Sequence, residues 1–167
     1  MVARQMGIDG RSRLAMVLGV DPGRDKMGWA LVNYEGGLLS SGICPVSEQE
    51  TFLTALTREP DCWGHELSPW VTEKVILRVS KAEKLSFVAV GDGTGSREAL
   101  KLFERLGIQV AVVDESGTTL EARELYWRLH APSWWQRCLP RTMRFPPRPL
   151  DDLAAWAIAR RSLFGRE

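Results

Sequence analysis

Apolar and polar positions along this chain change period from block to block. The runs "AMVLGV" (15–20) and "MGWALVN" (27–33) are nearly continuous in apolar residues and flank the polar stretch "DPGRDK", and "GGLLSSGICPV" follows. Short apolar runs bounded by turn residues read as buried strands. Pro22 presets φ and Gly23 accepts a positive φ, which predicts a type II turn between the first two runs, and Gly36-Gly37 supplies the next reversal. Three antiparallel strands should therefore open the fold.

The period then lengthens. Residues 47–84 read as mainly helical, with Ser47 and Glu50 forming a capping-box pattern and Val71, Val75, Ile76 and Val79 at helical spacing; "EPDCWGHELSP" between them reads as a loop. "LSFVAVGD" and "IQVAVVDE" are apolar enough for buried strands, and the helix "SREALKLFERLG", closed by Gly107, joins them as a parallel pair. The helix "TTLEARELYWRLH", a proline-rich irregular segment and the helix "LDDLAAWAIARRSLF" complete the chain. The expected fold is α/β, a mixed five-stranded sheet of three antiparallel strands and then a parallel βαβ unit, with helices on both faces.

Length and composition narrow this picture. A chain of 167 residues suits one domain, expected over 14–167, with residues 1–13 a polar and flexible N-terminal extension. The net charge of +1 gives no overall basic signature, so any nucleic-acid surface must be local. Cys44, Cys62 and Cys138 are odd in number and lack C-x-x-C spacing, which argues against a disulfide framework or a zinc knuckle and points to a reducing cytoplasm. No apolar stretch approaches a membrane span, so no membrane partner is expected. His65 and His130 have no metal-ligand spacing.

The acids carry the chemistry. Asp21 on its own reads as a turn-capping residue. Asp114 and Glu115, however, end the last parallel strand, where α/β sheets gather their functional groups, and Asp151 and Asp152 open the closing helix. If that helix lies across the sheet, Asp21, Glu115 and one of Asp151 or Asp152 converge. Such a group needs a cation, and its hard oxygens suit Mg²⁺ or Mn²⁺, with a two-metal site expected to serve phosphoryl chemistry. Asp151 and Asp152 also suit the helix dipole, and they point about 100° apart, so they cannot face one metal equally. Asp92 is an auxiliary ligand candidate.

Two further segments suit a polyanion. In "GDGTGSRE" (91–98) the glycines allow close backbone approach, and Thr94 and Ser96 stand where a phosphate would meet a helix start; Ser96 reads equally well as a helix cap. Between His130 and Arg148 the chain carries Arg137, Arg141, Arg144 and Arg148 without an acid, interleaved with Trp134, Trp135 and Phe145. Arginines neutralise phosphates and aromatic faces stack unpaired bases, while the alternative is a flap whose tryptophans bury against the core. Arg24, in the first turn, is a further phosphate contact.

"VLGVDPGRDKMGWALV", "VVDESGTTLEAR" and "RPLDDLAAWAIARRSLF" resemble, in that order over residues 16–164, the three motifs of the YqgF family of Holliday junction resolvase-like nucleases, also called RuvX, within the RNase H-like superfamily. "GDGTGSRE" is similar to the "GNGTASRE" of the related module in Tex proteins. The resemblance implies an RNase H-like nuclease domain whose metal-binding acids fall on Asp21, Glu115 and Asp151 or Asp152, with Asp151 fitting the third motif better. It also implies maturation of the 5′ end of 16S ribosomal RNA, with resolution of branched DNA proposed by analogy. Ser116 stands where the family commonly has arginine.

The leading expectation is a Mg²⁺- or Mn²⁺-dependent endonuclease of structured RNA or branched DNA, acting as a monomer or homodimer. A nucleic-acid-binding module without catalysis shares the basic segment and differs in whether the acids bind metal. An actin-like nucleotide hydrolase shares the hairpin and glycine loop but usually needs two such domains.

Overall fold

The structure, a computed structural model, describes residues 15–56, 63–74, 84–140 and 143–165. The expected N-terminal extension lies outside the described residues, as do Val75, Ile76, Val79, Cys62 and Arg141. The strands are β1 (Ala15–Pro22), β2 (Lys26–Asn33), β3 (Leu38–Pro45), β4 (Val71–Lys74), β5 (Lys84–Gly91) and β6 (Val110–Val113). The α-helices are α1 (Gln49–Leu56), α2 (Trp63–Glu66), α3 (Ser96–Arg105), α4 (Thr118–Leu129), α5 (Trp134–Arg137) and α6 (Asp151–Phe164).

The sheet is mixed and six-stranded, in the order β4-β3-β2-β1-β5-β6. β1, β2 and β3 pair antiparallel as expected, and β5 lies parallel to both β1 and β6. The sixth strand corrects the sequence reading. "VTEK", placed in a helix on the strength of Val71, is an edge strand whose positions alternate between half-buried and exposed and pair antiparallel with β3. The alternation of Val71 and Glu73 against Thr72 and Lys74 is the period of a strand.

Two cores flank the sheet. Met16, Leu18 and Val20 of β1 pack with Phe52, Leu53, Ala99, Leu102 and Phe103, so α1 and α3 cover one face. Val17, Ala30, Phe87 and Ala89 pack with Ala122, Leu125 and the length of α6 on the other. Helices on both faces are therefore observed.

Helix α6 crosses this second face at backbone contact distance. A Cβ built on Gly19 would lie 2.0 Å from the Ala155 carbonyl oxygen, and one on Gly28 would lie 2.1 Å from that of Asp151. Glycine at these two sheet positions and Ala154, Ala155, Ala157 and Ala159 in the helix bring the backbones together, which buries the helix from Asp152 to Ala159.

Local readings change as well: α2 forms within "EPDCWGHELSP", read as a loop, and α5 within the proline-rich segment, read as irregular. Pro22 is the last residue of β1, and Gly23 is absent from the glycines with positive φ. The reversal comes one residue later, about Arg24-Asp25, with the Gly23 amide donating to the Lys26 carbonyl at 3.0 Å. Glycine is needed there because a Cβ would lie 2.6 Å from that carbonyl oxygen, a matter of crowding rather than of φ. Ser47 falls inside a 3-10 turn (Val46–Glu48) rather than capping α1. Gly36 (φ 78°) and Gly107 (φ 66°) do adopt the left-handed conformation of a turn and a helix end.

A candidate carboxylate site at the sheet's C-terminal edge

Odd-numbered positions of β1 face α6, since Val17 belongs to that core and Gly19 lies beneath Ala155. Strand alternation puts Asp21 on the same side. Its register partner is Gly28, on which the backbone of Asp151 rests. On the other flank, Val20 pairs with Val90, so Asp21 adjoins the end of β5 at Gly91. A Cβ on Gly91 would meet Glu115 Oε2 at 2.9 Å, and one on Gly93 would meet Glu115 Oε1 at 2.1 Å. Asp21 thus stands between Asp151 and Glu115, each carried by a different element.

The electrostatics agree with this geometry. Asp21 is pushed up to about 7, first by burial and then by the negative charges of Glu115 and Asp151, with Lys26 opposing them. Glu115 is raised by burial and by Asp92 and Asp114, against a backbone hydrogen bond from Gly93 that favours its charged form. Asp92 Oδ1 accepts the Glu115 amide at 3.0 Å, which ties the glycine loop to the Glu115 turn. The loop also touches the first hairpin, because a Cβ on Gly95 (φ 93°) would lie 2.9 Å from the Gly23 carbonyl oxygen. Gly95 is the N-cap of α3, so Ser96 is its first helical residue rather than its cap.

No motif or spacing in the sequence marks Lys26. Its ammonium bonds Asp151 Oδ2 at 2.7 Å and is the cation that offsets the acids. Lys26 stands two residues before Gly28, the register partner of Asp21, and so on the same face of the sheet, a relation readable only once the register is known. Among the described residues, no three ligating side chains already close on a common metal position.

The neighbouring aspartates part company. Asp151 is partly exposed and faces Lys26, whereas Asp152 is wholly buried. Ser41 Oγ donates to Asp152 Oδ2 at 2.9 Å, and Arg148 bonds both Asp152 oxygens, at 2.7 and 3.1 Å. Arg148 also bonds Glu73 Oε1 at 2.6 Å, and the same oxygen meets His130 Nε2 at 2.7 Å. Burial alone would raise Glu73, but these two partners hold its carboxyl below the usual range. The Arg148 guanidinium is spent on this internal network.

The other nucleic-acid-contact residues lie at the surface. Arg24 and Thr94 are exposed on the two touching loops, and Ser96 is half-buried. Trp134 and Trp135 project into solvent, at 81% and 53% exposure, so they do not pack into the core. Arg137 donates to the Pro132 carbonyl at 3.2 Å, and Arg144 to those of Leu139 and Arg137 at 3.0 and 3.1 Å.

No protein-family model matches this chain, and no curated protein matches it. Among solved structures it is similar to one described as a ROK family transcriptional regulator, a homolog of the E. coli MLC protein. The identity is 10% and the TM-score 0.36, over 68% of this chain and 31% of that one. The chain spans under a third of that protein's length, and so distant a likeness carries no argument. No helix among the described residues is long and apolar enough to cross a membrane.

Proposed function

We propose that this chain is a divalent-metal-dependent endonuclease of RNase H-like fold that hydrolyses phosphodiesters in structured nucleic acid, in keeping with its YqgF-like motifs. The observation that carries the reading is Asp21. Its carboxyl is raised to about 7 by burial and by Glu115 and Asp151, so three elements deliver negative charge to one end of the sheet. Lys26 offsets these acids only in part, since Asp21 stays raised, and carboxylates gathered from separated segments are relieved further when a divalent cation joins them. Three antiparallel strands, two parallel strands and a helix laid across them support an RNase H-like core, with β4 as an added edge.

Asp21, Glu115 and Asp151 are a hard-oxygen set that fits Mg²⁺ or Mn²⁺, and Asp92 is close enough to Glu115 to assist. When bound, such an ion supplies Lewis acidity toward a phosphodiester and a water nucleophile. The chain's residues prepare the site. Asp21 holds a proton up to about pH 7 in the cation-free protein, and Lys26 holds Asp151 Oδ2. Lys26 is 43% exposed, so its ammonium can swing into solvent at little cost. Asp152, with both oxygens engaged, anchors the first turn of α6 and so holds Asp151 over Gly28. Arg24 and Thr94, on the two touching loops, suit phosphate contacts.

The test is product mapping with the full chain, Mn²⁺, a structured RNA and a four-way DNA junction. Cleavage leaving 5′-phosphates, abolished in Asp21→Asn with the fold retained, is the expected result. Equal cleavage by that variant refutes the site, and binding of both substrates without products favours a non-catalytic module.

A further inference from the structure

We infer that the segment between His130 and Arg148 is a clasped platform for an unpaired strand of nucleic acid, a proposal that deepens the endonuclease reading and rests on it. Both ends of the segment meet on one atom. His130 Nε2 and Arg148 Nη2 lie 2.7 and 2.6 Å from Glu73 Oε1, on the edge strand β4. Arg148 then reaches the buried Asp152, beside Asp151. The segment is therefore pinned to the sheet on one side and to the start of the acid-bearing helix on the other.

Its interior is also held. The Gln136 side chain accepts the Ser133 amide at 2.9 Å, and Arg137 and Arg144 bond carbonyls within the segment. Among the described residues of the segment, these contacts hold the backbone while the rings stay outside. Trp134, Trp135 and Phe145 are 81%, 53% and 62% exposed, and Arg123 of α4 lies 4.9 Å from the Phe145 ring centroid. Large aromatic side chains are usually well buried, so three turned to solvent on a pinned segment indicate a surface completed by something else.

Charge and shape select the occupant. The segment contains no acidic residue, which calls for an anionic partner. Exposed planar rings, with the Arg123 guanidinium over that of Phe145, match a strand whose bases present free faces and whose backbone carries phosphates. In a duplex those faces are already stacked on neighbouring bases, so paired nucleic acid gains little from the rings. The platform accordingly specifies substrates with an unpaired stretch over fully paired ones.

The experiment measures fluorescence anisotropy of labelled oligo-U, oligo-dT and a blunt duplex of equal length, with the full chain in EDTA. Wild type should prefer the single strands and show tryptophan quenching on binding. Trp134→Ala/Trp135→Ala should weaken single-strand binding about tenfold or more and leave the duplex unchanged, with circular dichroism confirming the fold. Equal losses on both ligands, no loss on either, self-association abolished by the double variant, or preferential binding to phosphatidylserine vesicles would overturn the platform. Because neither metal nor cleavage enters this assay, its failure leaves the endonuclease reading standing, and absent cleavage with intact stacking removes only the latter.

Discussion

Asp21→Asn should stabilise the metal-free protein, and the gain should depend on pH in a defined way. The carboxyl titrates near 3.8 in an ordinary setting and near 7 in the fold. At about 1.4 kcal/mol per tenfold difference in proton affinity, ionising it in the folded state costs about 4 kcal/mol. Water reaching the partly exposed group reduces this, and about 1–3 kcal/mol is the expected net gain from an uncharged isostere. For a domain of this size each kcal/mol moves Tm by about 2–4 °C. The group's folded value is raised, so the stability of its protonated form is fully present below pH 4 and is lost as pH rises toward 7. The variant's advantage should therefore be absent near pH 3.5, grow between pH 4 and 7, and level off above. Thermal melts in EDTA across this range provide the assay. A variant no more stable than wild type at pH 8, or one equally advantaged at pH 3.5 and pH 8, would refute the argument that Asp21 is crowded by Glu115 and Asp151.

Three further outcomes follow from named contacts. Lys26→Met should extend the stability decline of wild type to higher pH by removing the cation that opposes the Asp21 rise, while altering stability at low pH by under about 1 kcal/mol; the same melts read it. Arg148→Ala should cost about 3–5 kcal/mol by stranding the buried Asp152, and adding Asp152→Asn should recover part of that loss in chemical denaturation. Gly93→Ala should displace the Glu115 carboxylate, which a Cβ would meet at 2.1 Å, and weaken Mn²⁺ binding about tenfold or more with the secondary structure intact.

Much of this arrangement is legible in the sequence. Continuous apolar runs announce β1, β2, β5 and β6, and α3, α4 and α6 lie within the stretches that read as helices. What could not be read depends on tertiary partners. "VTEK" is too short for its alternation to outweigh the valine spacing around it, and only its pairing with β3 makes it a strand. Gly23 looks like a positive-φ glycine beside Pro22, yet crowding by the Lys26 carbonyl requires it. Asp151 and Asp152 are alike as letters. Their separation into a half-exposed and a wholly buried group follows from Gly28 below the one and from Ser41 and Arg148 around the other. Likewise, nothing local marks Glu73 as the partner of residues as distant as His130 and Arg148, and the exposure of Trp134 and Trp135 cannot be told from composition.

The central claim is that Asp21, Glu115 and Asp151 share one divalent cation, and calorimetric Mn²⁺ titration tests it most directly. At pH 6 Asp21 still holds its proton in the cation-free protein, so Mn²⁺ uptake should release about one proton, seen as a heat that varies with the ionisation enthalpy of the buffer. At pH 8 that release should vanish while binding persists, and Asp21→Asn and Asp151→Asn should each lose binding at both values. Mn²⁺ binding by Asp21→Asn with wild-type affinity and stoichiometry would contradict the account.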